Sequence, residues 1–272
     1  MSKLIYEALQ VKGLREVITT ISTICQPLGL DFFCVGALAR NIWYVDHKAP
    51  ARGTRDVDFG IGIPSVAVYQ ELRQRLIEQH NYKPLRENPL RLYTPTGTIV
   101  DLLPFGSMGL ENAVLLDGMG LADLQLDGFK EAHRFGLLEV EIEGDRVLTC
   151  SIPGVVLLKL IAYDDRPEYR LKDPIDINTI LLSYPDFERN LIWEKYHDLY
   201  QDEKSHQAVG LEVLGREIDQ LLRNSPELKV RSVDILNRAI RQESDLAVLM
   251  IADALHETIA SKVQMLIHLR QG

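Results

Sequence analysis

The hydrophobic pattern of this chain changes character near Ile152-Pro153, and that change sets what it can fold into. Before it, short apolar runs rich in β-formers alternate with stretches of helical spacing. After it, the spacing is helical almost throughout, over 154–164, 174–184, 186–200, 205–223 and 232–270. The expected architecture is α/β first and helical second. A mixed sheet flanked by helices fills residues 1–150, and an α-helical domain fills 151–272.

Within the first part, Leu9, Val11, Leu14, Val17, Ile18 and Ile21 place a helix over 7–25. Phe32-Phe33-Cys34-Val35 is a short buried strand. Gly36 follows as a tight turn, and 37–43 reads as a helix. The loop to Arg55 carries Pro50 and Gly53. A strand over 57–63 comes next, then a helix opened by Pro64-Ser65 and running to about residue 79. Residues 91–94 and 98–103 form a hairpin across Thr94-Pro95-Thr96-Gly97, and 137–142 pairs with 146–150. In the last helical stretch, Arg241-Gln242-Glu243-Ser244 is a candidate break.

The 272 residues are 46% hydrophobic, enough for a sizeable core. A formal charge of −9 disfavours bulk electrostatic attraction to long nucleic acid, while leaving room for a local basic groove. Cys25, Cys34 and Cys150 are odd in number and far apart, which argues against a disulfide framework or a zinc site. No run approaches the roughly 20 apolar residues of a membrane span, and the N-terminus lacks a long apolar leader. A cytoplasmic protein with no membrane partner is expected.

The chemistry concentrates in Arg52-Gly53-Thr54-Arg55-Asp56-Val57-Asp58. Residues i and i+2 of a strand share a face, so Asp56 and Asp58 point the same way. Taken alone, the pair reads as a solvated strand face or as ligands for a hard cation such as magnesium. Asp101 interrupts the apolar run Thr98-Ile99-Val100-Asp101-Leu102-Leu103, and a carboxylate so placed needs a partner or a task. Three carboxylates from two neighbouring strands suit two magnesium ions roughly 3.5–4 Å apart and phosphoryl transfer. Gly36, before the helix at Ala37, reads as a plain turn or as a phosphate cradle at a helix start. Arg52 and Arg55 read as loop charges or as phosphate contacts. Lys159, in Val155-Val156-Leu157-Leu158-Lys159-Leu160-Ile161, either snorkels to solvent or points into a polar cleft.

The order Val35-Gly36-Ala37-Leu38-Ala39, then Arg52-x-Thr54-x-Asp56-x-Asp58, then Asp101, resembles the polymerase-β-like nucleotidyltransferase superfamily. Within it, the chain is similar to the minimal nucleotidyltransferases and the AbiE-type toxin branch. The likeness covers residues 30–105, with a weaker match at Lys159 and Lys172-Asp173-Pro174-Ile175-Asp176. It implies a magnesium-dependent transfer of a nucleoside monophosphate from an NTP to a hydroxyl on a tRNA, a protein or a small molecule. It also implies a toxin-like role with an antitoxin partner. Asp56, Asp58 and Asp101 would be the metal ligands and catalytic carboxylates, with Asp101 as base. Gly36, Ala37, Arg55 and Lys159 would bind the nucleotide. Many relatives have Gly-Gly or Gly-Ser where this chain has Gly36-Ala37, and the loop before Asp56 is longer here. The rival expectation is a non-catalytic nucleotide- or partner-binding module.

Overall fold

The computed structural model describes residues 4–85, 88–106, 113–115, 121–123, 127–200, 204–251 and 258–272. The chain separates into two compact units. One is Met1–His133 with Leu137–Ser151; the other is Arg134–Gly136 with Ile152–Gly272.

The first unit is a mixed sheet flanked by helices. Its elements are α1 (Leu14–Leu28), β1 (Phe32–Cys34), α2 (Gly36–Asp46), β2 (Asp56–Gly62), α3 (Val66–His80), β3 (Lys83–Leu85), β4 (Asn88–Tyr93), β5 (Ile99–Phe105), β6 (Ala113–Leu115), β7 (Leu121–Asp123), α4 (Phe129–Phe135), β8 (Leu137–Ile142) and β9 (Asp145–Cys150). The seven-stranded sheet runs β3-β4-β5-β2-β1-β9-β8, and β6 and β7 pair separately. β2 lies parallel to β5, and β1 parallel to β9; the other neighbours are antiparallel.

Strand alternation decides the two faces. Val57, Phe59 and Ile61 of β2, with Val100 and Leu102 of β5 and Leu90 and Leu92 of β4, are buried in one apolar cluster. Val17, Ile18 and Ile21 of α1 and Tyr69, Leu72 and Leu76 of α3 complete it. The intervening residues of β2, Asp56, Asp58 and Gly60, belong to the opposite face. Gly60 is obligatory there, because a Cβ would stand 2.6 Å from Cε1 of Phe33. Phe33, Phe105, Phe129 and His133 form an aromatic cluster at that end of the face. It closes one end of the row Asp56-Asp58-Gly60 with apolar rings.

Two expectations from periodicity are corrected. The helix expected over 7–25 starts only at Leu14. Tyr6–Leu9 is a separate 3-10 turn, because Gln10 and Gly13 adopt left-handed backbone (φ 57° and 65°). The helical stretch expected over 232–270 starts earlier and is interrupted at its candidate break, Arg241-Gln242-Glu243-Ser244. Its first helix begins at Pro226, favoured at a helix start, and ends at Ile240, where Gln242 turns left-handed (φ 57°). Residues 252–257 of that stretch lie outside the described residues. Ser65 caps α3 as its sequence implies, accepting from the Val68 N–H at 3.4 Å.

The second unit is helical: α5 (Ile152–Asp165), α6 (Lys172–Phe187), α7 (Arg189–Lys195), α8 (His206–Leu222), α9 (Pro226–Ile240), α10 (Leu246–Leu249) and α11 (Ile259–Gln271). α5 is buried on nearly all sides and packs against α6, α8 and α9. Salt bridges of Arg238 and Arg231 to Asp164 tie α9 to its C-terminal end. Among the described residues, no helix is long and apolar enough to cross a membrane.

Candidate active site

Asp56 and Asp58 share a face of β2 and are half-buried, while Val57 between them is fully buried. The parallel register sets Asp58 opposite Asp101 of β5. The antiparallel register then sets Asp101 opposite Arg91 of β4. Arg91, Asp101 and Asp58 therefore form a row across three strands, with Asp56 two residues along from Asp58.

Arg91 makes a two-pronged contact with Asp101. Its Nε donates to Oδ1 at 2.7 Å and its Nη2 to Oδ2 at 2.6 Å. Both side chains are largely shielded, at 27% and 12% exposure. The hydrogen bond to Asp101 holds the guanidinium protonated well beyond its ordinary range and outweighs burial; the charges of Asp101, Asp56 and Asp58 add to it. Arg91 is thus a cation that the acidic row faces. Sequence reasoning missed it, because an arginine between Leu90 and Leu92 in an alternating strand reads as a solvated face.

The carboxylate of Asp56 is positioned from the preceding loop. The Thr54 hydroxyl donates to its Oδ1 at 2.5 Å. The loop is anchored to α2 and the N-terminal segment: Asn41 Nδ2 donates to the Arg52 carbonyl at 2.9 Å and to the Leu9 carbonyl at 3.2 Å. The Arg55 carbonyl accepts from the Ile99 N–H at 3.1 Å, which carries the strand pairing one residue outward. Arg55 itself is exposed, in the bend before β2.

Gly36 opens α2 directly beside Asp58. The Val35 N–H donates to the Asp58 carbonyl at 3.0 Å, and Gly36 then takes φ +60°. A Cβ at this position would stand 2.5 Å from Asp58 Oδ2. Sequence and geometry agree on glycine for two separate reasons, backbone conformation and closeness to the carboxylate. Ala37 follows in the first turn of α2, whose leading N–H groups have no partner within the helix.

Lys159 belongs to the second unit. It is buried, and its Nζ donates to Asp173 Oδ1 at 2.6 Å and Asp176 Oδ2 at 2.9 Å. Burial alone would lower its pKa, but the two carboxylates reverse the effect and raise it. The ammonium neither snorkels nor stands without a carboxylate; it ties α5 to α6. Asp173 and Asp176, both on α6, are buried as well.

A hard dication needs oxygen donors. Asp56 and Asp58 fit as a pair, on one face and partly open to solvent. Asp101 has both oxygens on Arg91. Among the described residues, no group of three or more His, Cys, Asp or Glu side chains stands together as a metal cluster. The donor set therefore suits a cation at the two carboxylates of Asp56 and Asp58.

No protein-family model matches the chain, and no curated protein matches it. Solved structures similar to it include the following two. An antigenic nucleotidyltransferase-like protein from Paracoccidioides brasiliensis is 16% identical over 85% of this chain and 94% of its own, with a TM-score of 0.38. The antibiotic-resistance factor ANT(2'')-Ia is 13% identical over 68% of this chain and 97% of its own, with a TM-score of 0.39. At TM-scores below 0.5, neither likeness bears on what this chain does.

Proposed function

We propose that the chain is a magnesium-dependent nucleotidyltransferase that moves a nucleoside monophosphate from an NTP to a hydroxyl acceptor. The observation that carries this reading is the placement of Asp56, Asp58 and Asp101 on one face of adjacent parallel strands, against the left-handed turn that opens α2. A bound dication would supply neutralisation of the phosphate charge and polarisation of the bond to be broken, and Asp56 and Asp58 would hold it. Thr54 orients Asp56 for that task. The N–H groups of Gly36 and Ala37, at the positive end of α2, suit a phosphate oxygen. Arg55 adds positive charge beside the same strand end. Asp101 is the group to take the proton of the attacking hydroxyl. Catalysis is then a matter of positioning and preorganised charge.

The acceptor is a tRNA end, a protein side chain or a small hydroxylated molecule, and the net charge of −9 disfavours long nucleic acid. A toxin-like role, with an antitoxin as partner, belongs to the same reading. A second reading, a non-catalytic nucleotide- or partner-binding module, draws on one observation: Arg91 engages both oxygens of Asp101.

Incubation with each α-labelled NTP and Mg²⁺, with total tRNA, protein or small hydroxylated acceptors, separates the two. The proposal expects label on one acceptor class and its loss in Asp58→Asn. Transfer that persists undiminished in Asp58→Asn overturns the assignment. NTP binding without transfer to any acceptor supports the binding module.

A further inference from the structure

A carboxylate has about four lone-pair positions, and a guanidinium fork takes the two that face it. Arg91 does this to Asp101, with both contacts at hydrogen-bond distance. A dication approaching the remaining positions of Asp101 meets a fixed positive charge a few ångströms away. The arrangement is built, not incidental. Arg91 and Asp101 are register partners on antiparallel strands, and Asp101 is in turn the register partner of Asp58. Leu90 and Leu92, on either side of Arg91, are buried in the core, which pins the backbone from which the guanidinium reaches. Asp101 thus has an internal counter-charge in Arg91, with which any external cation has to compete.

We propose that Arg91 is an internal counter-ion that competes with the dication for Asp101, so that the three-carboxylate centre is complete only when Arg91 lets go. This rests on the nucleotidyltransferase reading, since it takes Asp56 and Asp58 as the first cation ligands. Arg91 is a positioning residue in this scheme. It holds the third carboxylate in place and charge-neutral until metal arrives, and it sets the metal concentration at which the site assembles. When displaced, its guanidinium stays beside the row as a free donor for a phosphate oxygen.

Two measurements test this on the full chain with Mn²⁺ or Mg²⁺ alone. Mn²⁺ affinity is read by electron paramagnetic resonance for wild type, Arg91→Gln and Arg91→Lys. Removing a charge-assisted bidentate competitor should tighten Mn²⁺ binding about tenfold in Arg91→Gln. Arg91→Lys keeps the charge without the fork and should fall between the two. Independently, the Arg Nε–H NMR signal that Arg91→Lys removes should move in wild type on adding Mg²⁺, as the guanidinium leaves Asp101.

Mn²⁺ binding that is unchanged or weaker in both variants overturns the inference alone. So does an Nε–H signal that stays fixed while Mg²⁺ saturates the protein. If wild type and Arg91→Gln both fail to bind Mn²⁺, the inference and the nucleotidyltransferase reading fall together.

Discussion

A Cβ on Gly36 would stand 2.5 Å from Oδ2 of Asp58, so the turn that opens α2 and the carboxylate of β2 fit only without a side chain between them. The φ of +60° at Gly36 adds a backbone reason to the steric one. Gly36→Ala should therefore cost about 1–2 kcal/mol of stability from left-handed strain, and should also push the Asp58 carboxylate aside. The expected result is a lower unfolding midpoint together with weaker Mn²⁺ binding. A variant as stable as wild type, with unaltered Mn²⁺ affinity, would show that the close approach is unimportant.

Thr54 matters through one hydroxyl. It donates to Asp56 Oδ1, and the side chain is only partly buried. Thr54→Val keeps the shape and deletes the donor, so stability should change by no more than about 1 kcal/mol. Mn²⁺ affinity should fall several-fold as Asp56 loses its orientation, and Thr54→Ser should restore it. Equal affinities in the Val and Ser variants would remove Thr54 from the site.

The triad of Lys159, Asp173 and Asp176 makes a stability prediction that is independent of function. Lys159→Met leaves two buried carboxylates uncompensated and should cost about 3–5 kcal/mol. Adding Asp173→Asn and Asp176→Asn to it should recover a large part of that loss. The folded pKa of Lys159 lies above the ordinary 10.5. The stabilisation from the triad is thus complete below that value and is lost as pH rises through the raised folded value. Denaturant midpoints followed from about pH 8 to about pH 12 should show a steeper alkaline loss in wild type than in Lys159→Met, which keeps only the loss from buried thiols and tyrosines.

Burial pushes the thiols of Cys25 and Cys150 up to about 12, and moves the fully buried Cys34 in the same direction. All three are free and buried. A thiol reagent at neutral pH should leave the native protein unlabelled and modify all three cysteines only after unfolding, because the reactive species is the thiolate. Rapid labelling of any one of them under native conditions contradicts their place in the core.

Much of this could be read in the sequence because strand alternation is strict. Val57, Phe59 and Ile61 point one way and Asp56 and Asp58 the other, and the apolar flanks of Asp101 mark a strand beside them. Gly36 could be found as a turn, but its contact with Asp58 could not, since only the folded chain brings β1 against β2. Arg91 was hidden for a similar reason. Its partner lies ten residues away across a hairpin, and its meaning comes from the register between β4 and β5, which periodicity does not report. Gln10 and Gly13 broke a helix that the hydrophobic spacing joined, because apolar period carries no information on single left-handed residues. The break at Gln242 was legible as the polar run Arg241-Gln242-Glu243-Ser244.

In the proposed site, Asp56, Asp58 and the start of α2 together hold a metal-bound triphosphate. A crystal structure with Mg²⁺ and a non-hydrolysable NTP analogue tests it most directly. Mg²⁺ is expected at about 2.0–2.1 Å from oxygens of Asp56 and Asp58, with a phosphate on the N–H groups of Gly36 and Ala37. A triphosphate and metal bound elsewhere, with Asp56 and Asp58 untouched, would contradict it.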